Sequence, residues 1–390
     1  MRVLVACVSQ TGHLAPVLPL AEAFAARGDA VIVASAPEAA EVVARHGLEF
    51  RAVGPDFGDW FAELGRRMRG QPGDGIPPER VLGYWVPRLF GEVGVSLVVD
   101  DLLAVAREFG PDLLVFETCS FAGPLVAALT GAQPVHHTLG PLVVGPAVLD
   151  LTTDAVSPIW REFGLDAPAA AGLYSGPTVH LLPAALGPNA EGVVDTLFLR
   201  PSALPMAAAP ALPVTFADPS RALVYVTLGT LQNSDLDQFR LILAALADEP
   251  VNVLVTVGRE NDPALLEPIP ANARVERFIP QAEVLPHCAA VIHHAGAGTM
   301  FGVLSHGLPS VALPQGADNF ANAHLMVDAG TAVLLMPEEV SADAITAGLR
   351  AVVGSGDYRQ RAVLVADEMR AMPTPAEVAE MLATRFGDEP

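Results

Sequence analysis

Short apolar runs, each closed by turn residues and followed by helical spacing, recur along most of the chain. Residues 2–8 (RVLVACV) are almost continuously apolar, the mark of a strand buried on both faces. A turn follows at Ser9-Gln10-Thr11-Gly12-His13. Leu14, Leu18, Ala21, Phe24 and Ala25 then share one helical face before Gly28 ends it. Strand 30–35 and helix 37–46 repeat the unit. Helix 97–109, strand 112–116 ending at Glu117, helix 121–130, strand 133–137 and strand 178–182 complete a first series. A second series runs through strand 222–227, helix 235–247 and strands 251–257, 274–278, 289–293, 309–313 and 332–335, and finishes in helices near 341–352 and 357–385. Alternation of this kind predicts α/β architecture: doubly wound parallel sheets with ligands at the carboxyl ends of the strands.

Two stretches break the rhythm. Residues 55–94 interleave Gly and Pro with Phe57, Trp60, Phe61, Met68, Tyr84, Trp85 and Phe90, and residues 141–171 carry Trp160 and Phe163. Both read as irregular insertions, whose aromatics either pack on the domain's own core or line an apolar small-molecule site. Phe57, Trp60, Phe61, Tyr84, Trp85 and Trp160 are the candidates for the second role. Between Arg200 and Ser220 the text is rich in proline and almost uncharged, as an extended linker would be. The expected domains are therefore 1–205, a linker over 206–220, a second domain over 221–370, and a terminal helix over 371–390.

The densest chemistry lies in residues 278–322. Strand 289–293 enters the turn His294-Ala295-Gly296-Ala297-Gly298-Thr299, with a helix expected from about Gly298. Such a strand, Gly-rich turn and helix form a phosphate cradle, because glycines expose backbone N–H groups and the helix N-terminus favours negative charge. The neighbouring strand 309–313 ends near Asp318-Asn319, which places hydroxyl-reading side chains beside the anion site. Thr227, Gly229 and Thr230 follow the first strand of the second series, where small residues let the backbone come close to a phosphate or sugar; a plain tight turn also accounts for them.

The order Phe278-Ile279-Pro280-Gln281, a His, His294-Ala295-Gly296-Ala297-Gly298-Thr299, Gly-Leu-Pro and Asp318-Asn319 resembles the nucleotide-sugar signature of the GT-B glycosyltransferases of family 1. Within that family it is most similar to the actinobacterial enzymes that decorate antibiotics and other natural products. The signature covers about 45 residues with some ten positions matched in order. The resemblance implies two Rossmann-like domains facing a central cleft, the first for the acceptor and the second for the nucleotide-sugar, with the last helix packing back on the first domain.

By the same resemblance Gly12 belongs to the nucleotide-sugar site, and His13, in its Gly-His-Leu-x-Pro setting, is the general base that takes the acceptor's proton. An imidazole suits that task because its ordinary pKa of about 6.5 lies near working pH. Strand 112–116 belongs to the same sheet as strand 2–8, so Glu117 faces the same crevice. It stands where the family usually has Asp, to hold the imidazole's tautomer. His294, Gly296, Ala297, Gly298 and Thr299 are implied to hold the diphosphate, Phe278 and Ile279 the base, Gln281 to belong to the same donor site, and Asp318 with Asn319 to read the sugar. His293 is expected to pack rather than bind.

The implied reaction is an inverting, metal-independent transfer of a (deoxy)sugar from a dTDP- or UDP-sugar to a hydroxyl of an apolar aglycone, with no cofactor. A nucleotide-sugar epimerase or hydrolase, or a non-catalytic partner of a glycosyltransferase, are the alternatives. Two decoys are set aside. Asp235-Leu236-Asp237 spells a metal-chelating Asp-x-Asp but opens a helix, where acids cap. Gly296-Ala297-Gly298 lacks the third glycine of a dinucleotide fingerprint.

Composition narrows the partners. A formal charge of −22 without a Lys/Arg block excludes nucleic acid and anionic membranes as favourable partners, and obliges a phosphorylated ligand to be held by amides, helix termini and histidines. Cys7, Cys119 and Cys288 lie far apart in apolar surroundings and are expected to be reduced. With no signal peptide and no run of 18 apolar residues expected, a cytoplasmic enzyme, possibly homodimeric, is the reading.

Overall fold

The computed structural model describes the chain except residues 69–80, 142–143, 188–192, 194, 202–210, 230–235 and 388–390. The chain divides into two compact units, one of residues 1–182, 189–202 and 372–390, the other of 183–188 and 203–371.

In the first unit, β1 (Arg2–Ala6), α1 (Thr11–Arg27), β2 (Ala30–Ser35), α2 (Ala40–Arg45) and β3 (Glu49–Ala52) lead into helical α3 (Phe57–Arg67) and α4 (Val81–Trp85). A π-helical segment, Val86–Gly94, runs on into α5 (Val95–Phe109). Then come β4 (Leu113–Glu117), α6 (Ala122–Thr130), β5 (Gln133–His137), α7 (Pro146–Glu162), β6 (Thr178–His180) and β7 (Thr196–Phe198). All seven strands are parallel, in the order β3-β2-β1-β4-β5-β6-β7.

The two stretches expected to be irregular are mostly helical where they are described, with 163–168 irregular. In α3, Phe57, Trp60, Phe61 and Leu64 fall at i, i+3, i+4 and i+7, one face of a helix. Frequent Gly and Pro concealed that spacing. β3 and β7, too short to signal themselves, extend the sheet at either edge, so strand 178–182 does not close it.

The second unit holds β8 (Ala222–Thr227), α8 (Leu236–Leu246), β9 (Val251–Thr256), β10 (Ala273–Glu276), α9 (Gln281–Val284), β11 (Cys288–His293), α10 (Ala297–Ser305), β12 (Ser310–Ala312), α11 (Asn319–Asp328), β13 (Ala332–Leu334), α12 (Ala342–Gly354) and α13 (Gly356–Ala371). Its six strands are parallel, ordered β10-β9-β8-β11-β12-β13. The helix expected over 357–385 is two helices: α13 stops before Pro373, and α14 (Pro375–Phe386) begins on a Thr374–Glu377 capping box. α14 belongs to the first unit and lies against α1, with Arg27 Nη1 donating to Glu380 at 2.6 Å and Arg385 pairing with Asp195. Among the described residues, no helix is long and apolar enough to cross a membrane.

Both sheets reverse their winding once. In the first, β1 and β4 are neighbours although three helical crossovers separate them; in the second, β8 and β11 are. The chain leaves the sheet in opposite directions on either side of such a pair, which opens a crevice at the carboxyl ends. His13 and Glu117 follow or end the first pair of strands; Thr227 and His294 end or follow the second.

Candidate active site

α1 starts at Thr11, two residues before His13, so the histidine stands in the helix's first turn rather than ahead of it. Its Nδ1 lies 3.2 Å from Glu117 Oε1, with the His13 side chain 17% exposed and that of Glu117 0%. The carboxylate is held from two other sides: Val8 N–H donates to Oε1 at 3.2 Å and Cys119 N–H to Oε2 at 2.7 Å. These hydrogen bonds fix the direction of the carboxylate. Glu117 thus reaches the imidazole despite its extra methylene.

The aromatics assemble beside this pair. Phe90 stacks on the His13 ring at 5.7 Å between centroids and on Phe57 at 6.0 Å. Phe57 meets Phe61 at 5.3 Å, Phe61 meets Trp85 at 5.8 Å, and Trp85 meets Tyr84 at 5.4 Å. Phe61 is exposed, whereas Trp60 is buried beneath Phe57 and supports the wall from behind. Trp160 is a correction: it is 2% exposed in the core among helices α5, α6 and α7, and offers no surface to a ligand. Its place on the buried face of α7 is set by packing that no local spacing announced. Phe90, the ring in contact with His13, was one aromatic among several in the sequence. Glu38 was not suspected at all. It accepts from the Ser9 hydroxyl, from Gln10 Nε2 at 3.1 Å and from Phe57 N–H at 3.3 Å, so it ties the turn before α1 to the start of α3.

In the second unit the turn after β11 is built around two histidines with different tasks. His293 is fully buried, and its Nδ1 accepts Ala295 N–H at 3.0 Å. Asn322 Nδ2 donates to the Ala295 carbonyl at 2.9 Å. Ala295 is thereby clamped at φ 63°, a left-handed conformation that costs a non-glycine residue on the order of 1–2 kcal/mol. Among the described residues of this unit, Ala317, after β12, is the other such residue, at φ 50°. Both strained residues thus follow neighbouring strands, β11 and β12.

His294 sits in a slot between two glycines. A Cβ on Gly229 would lie 2.6 Å from its Nε2, and one on Gly296 2.4 Å. Those two glycines clear space for the ring, whereas Gly298 and Gly12 have nothing within 4 Å of a would-be Cβ. Burial pushes the His294 imidazole down to about 4, with the Thr227 backbone partly opposing, so the ring is neutral near pH 7. Gly296 has φ −61°, which alanine accepts, so Gly296→Ala tests the slot alone. That variant is expected to keep its fold by circular dichroism and to lose about tenfold or more in nucleotide affinity. Unchanged affinity would mean that the ring plays no part in binding.

The remaining donor-site candidates fall around this turn. Ala297 opens α10, one residue earlier than expected, and Met300 N–H returns to the Gly296 carbonyl at 2.9 Å. Thr299 Oγ1 accepts from Gln281 Nε2 at 3.1 Å. Phe278 is 43% exposed and carries the Arg259 guanidinium over its ring at 3.7 Å, while Ile279 is buried. Asp318 is held by Asn322 at 2.7 Å and by Asn319 at 3.2 Å. Asn319 is itself buried, so it supports Asp318 more than it faces a ligand. Asn322, unsuspected from sequence, sits at i+4 from Asp318 on α11, a spacing that could have revealed it. Thr230 and Asp235 lie outside the described residues; Asp237 pairs with Arg240 at 2.6 Å on the surface, as a helix-end acid does.

Residues 240–384 match the model of the erythromycin biosynthesis protein CIII-like C-terminal domain. The L-demethylnoviosyl transferase of Streptomyces niveus is 31% identical over 396 residues, covering 98% of either chain. The chain belongs to the GT-B natural-product glycosyltransferases. Among solved structures, the glycosyltransferase SnogD of Streptomyces nogalater superposes with a TM-score of 0.79 at 27% identity, over 99% of this chain and 100% of that one. The glycosyltransferase SsfS6 of Streptomyces sp. SF2575, complexed with thymidine diphosphate, gives 0.77 at 26% identity, over 98% and 99%. Membership makes this glycosyltransferase an enzyme and sets aside the non-catalytic alternative. It also agrees with the two parallel-sheet domains expected from the signature.

Proposed function

We propose that this glycosyltransferase moves a (deoxy)sugar from a dTDP- or UDP-sugar to a hydroxyl of an apolar natural-product aglycone, with inversion and without a metal. The observation that carries this reading is the buried Glu117 set 3.2 Å from His13 Nδ1. That arrangement reserves Nε2 for the substrate. The acceptor O–H gives its proton to Nε2 as its oxygen attacks the anomeric carbon, and the bond from that carbon to the diphosphate oxygen breaks in the same displacement. Glu117 stabilises the imidazolium that results.

The leaving diphosphate is received by the N-terminus of α10, by the Thr299 hydroxyl and by the neutral His294, an electrostatic role that needs no mobile cation. Phe278 offers its ring to the nucleobase, and Asp318, oriented by Asn322 and Asn319, reads the sugar hydroxyls. The aromatic wall from His13 to Tyr84 supports an apolar acceptor and speaks against an epimerase or hydrolase, which would need no such surface. SsfS6, which shares the fold, was crystallised with thymidine diphosphate, and this favours dTDP as the donor's nucleotide.

Calorimetry with dTDP and UDP in the presence of a chelator tests the donor half. One of the two is expected to bind in the micromolar range, and His294→Ala to weaken it at least about tenfold, roughly 1.4 kcal/mol. Absence of binding by both nucleotides would overturn the reading.

A further inference from the structure

The loop after β4 adds a third donor to the His13–Glu117 pair. Cys119 Sγ, a His13 ring nitrogen and a Glu117 carboxylate oxygen all lie within 4.8 Å of one another. Imidazole, carboxylate and thiol are the side chains that bind zinc-type cations, at about 2.0–2.2 Å through N and O and about 2.3 Å through S. Around a tetrahedral ion those bond lengths separate N and O ligands by about 3.3 Å and place sulfur about 3.6 Å from either. The observed Nδ1–Oε1 separation is 3.2 Å. Although this close, Nδ1 makes no aligned hydrogen bond and is sealed from solvent without a partner. The sulfur needs to move by only about 1 Å, within the reach of one side-chain rotation.

The surroundings suit a cation as well. Glu117 is completely buried, and its oxygens are fixed by the amides of Val8 and of Cys119 itself, the kind of outer support that orients a metal-binding carboxylate. One neutral imidazole, one carboxylate and one thiolate carry two negative charges, which a divalent ion cancels.

We propose that His13, Glu117 and Cys119 form a three-ligand site for a borderline-soft divalent cation of the zinc class. On binding, the Cys119 S–H gives its proton to solvent, the Nδ1 proton passes to Nε2, and bonds form from the ion to sulfur, Nδ1 and a carboxylate oxygen, with no change in oxidation state. The fourth position stays open to water. A consequence rests on the function proposed above: an ion on Nδ1 leaves the ring proton on Nε2, where the acceptor's proton would have to go, so such cations inhibit this enzyme.

Spectroscopic titration of the full chain with Co²⁺, followed by displacement with Zn²⁺, tests the site. Wild type is expected to show a thiolate-to-cobalt charge-transfer band with the visible bands of four-coordinate cobalt. Cys7 and Cys288 are buried, so Cys119 must supply the sulfur. Cys119→Ser, which keeps the backbone amide on Glu117, should lose the charge-transfer band and bind Zn²⁺ at least about tenfold more weakly. A band that survives in Cys119→Ser, or no thiolate band in wild type, overturns the site. Transfer assays then address the base separately. Zinc should suppress the wild-type rate, a chelator should restore it, and Cys119→Ser, compared with its own zinc-free rate, should resist zinc. A site confirmed by cobalt, with transfer unaffected by zinc, would leave the metal proposal standing and remove His13 from the base role.

Discussion

Replacing His13 by alanine is expected to lower kcat by about 10²–10⁴-fold, the usual worth of a positioned general base, and to leave affinity for the donor nucleotide unchanged. The imidazole belongs to the first unit, and the residues proposed to hold the donor belong to the second. Its loss removes the proton acceptor for the attacking hydroxyl and leaves the diphosphate site intact. Glu117→Gln is expected to cost kcat as well. The amide still occupies the pocket between Val8 and Cys119, but it no longer carries the charge that stabilises an imidazolium. Because the two residues act as one device, the double variant should be little worse than His13→Ala alone. Steady-state kinetics with an apolar phenolic or macrolide-like acceptor, alongside nucleotide calorimetry, provide the check. A His13→Ala enzyme within a few-fold of wild type would sink the base assignment.

The second large effect concerns acid stability. Burial holds His136 and His293 down to about 3, and His137, His180 and His294 down to about 4. His136 accepts or donates only to the hydroxyls of Thr118 and Thr178, and His137 and His180 have ring nitrogens sealed without partners. In the unfolded chain each imidazole titrates near 6.5. The folded values lie below that, so the unfolded state binds more protons as pH falls. The stabilisation is complete above pH 6.5 and is lost progressively from there towards pH 4. Each such histidine removes up to about 1.4 kcal/mol per pH unit in that window, so the pair in the second unit and the three in the first should both be felt. Thermal melts over a pH series should show Tm roughly level between pH 8 and 7 and falling steeply from pH 6 to 5. A flat Tm across pH 7 to 5 would mean that these rings are reached by water or protons in the folded state.

Much of the donor site could be read in residues 278–322, because a strand, a Gly-rich turn and a helix start are local and adjacent. Which atoms do what was less visible. Gly229 and Gly296 looked like phosphate-approach glycines, yet they make room for the His294 ring. His294 looked like a diphosphate ligand, and burial keeps its ring neutral. Asn319 looked like a ligand-reading side chain, yet it is buried against Asp318. In each instance the sequence carries the residue type, and only its surroundings decide its protonation and direction. The candidate acceptor side was legible only as local clusters of aromatics. Those in residues 55–94 and 141–171 pointed to an apolar surface, but Trp160 went to the core and Phe90, undistinguished by spacing, became the ring against His13.

By itself the sequence determined the strands that are buried on both faces, since uninterrupted apolar runs such as 2–8 and 289–293 have no other stable place in a folded chain. It also determined the turns that end them and the class of enzyme those turns belong to. Tertiary structure alone decided that β1 lies beside β4 and β8 beside β11, because strand order follows from how whole crossovers pack and not from any local period. That pairing brings His13 to Glu117, and the turn after β11 to Thr227. The chemistry therefore depends on contacts between residues far apart in the chain, which a periodicity of two or of three and a half residues cannot record.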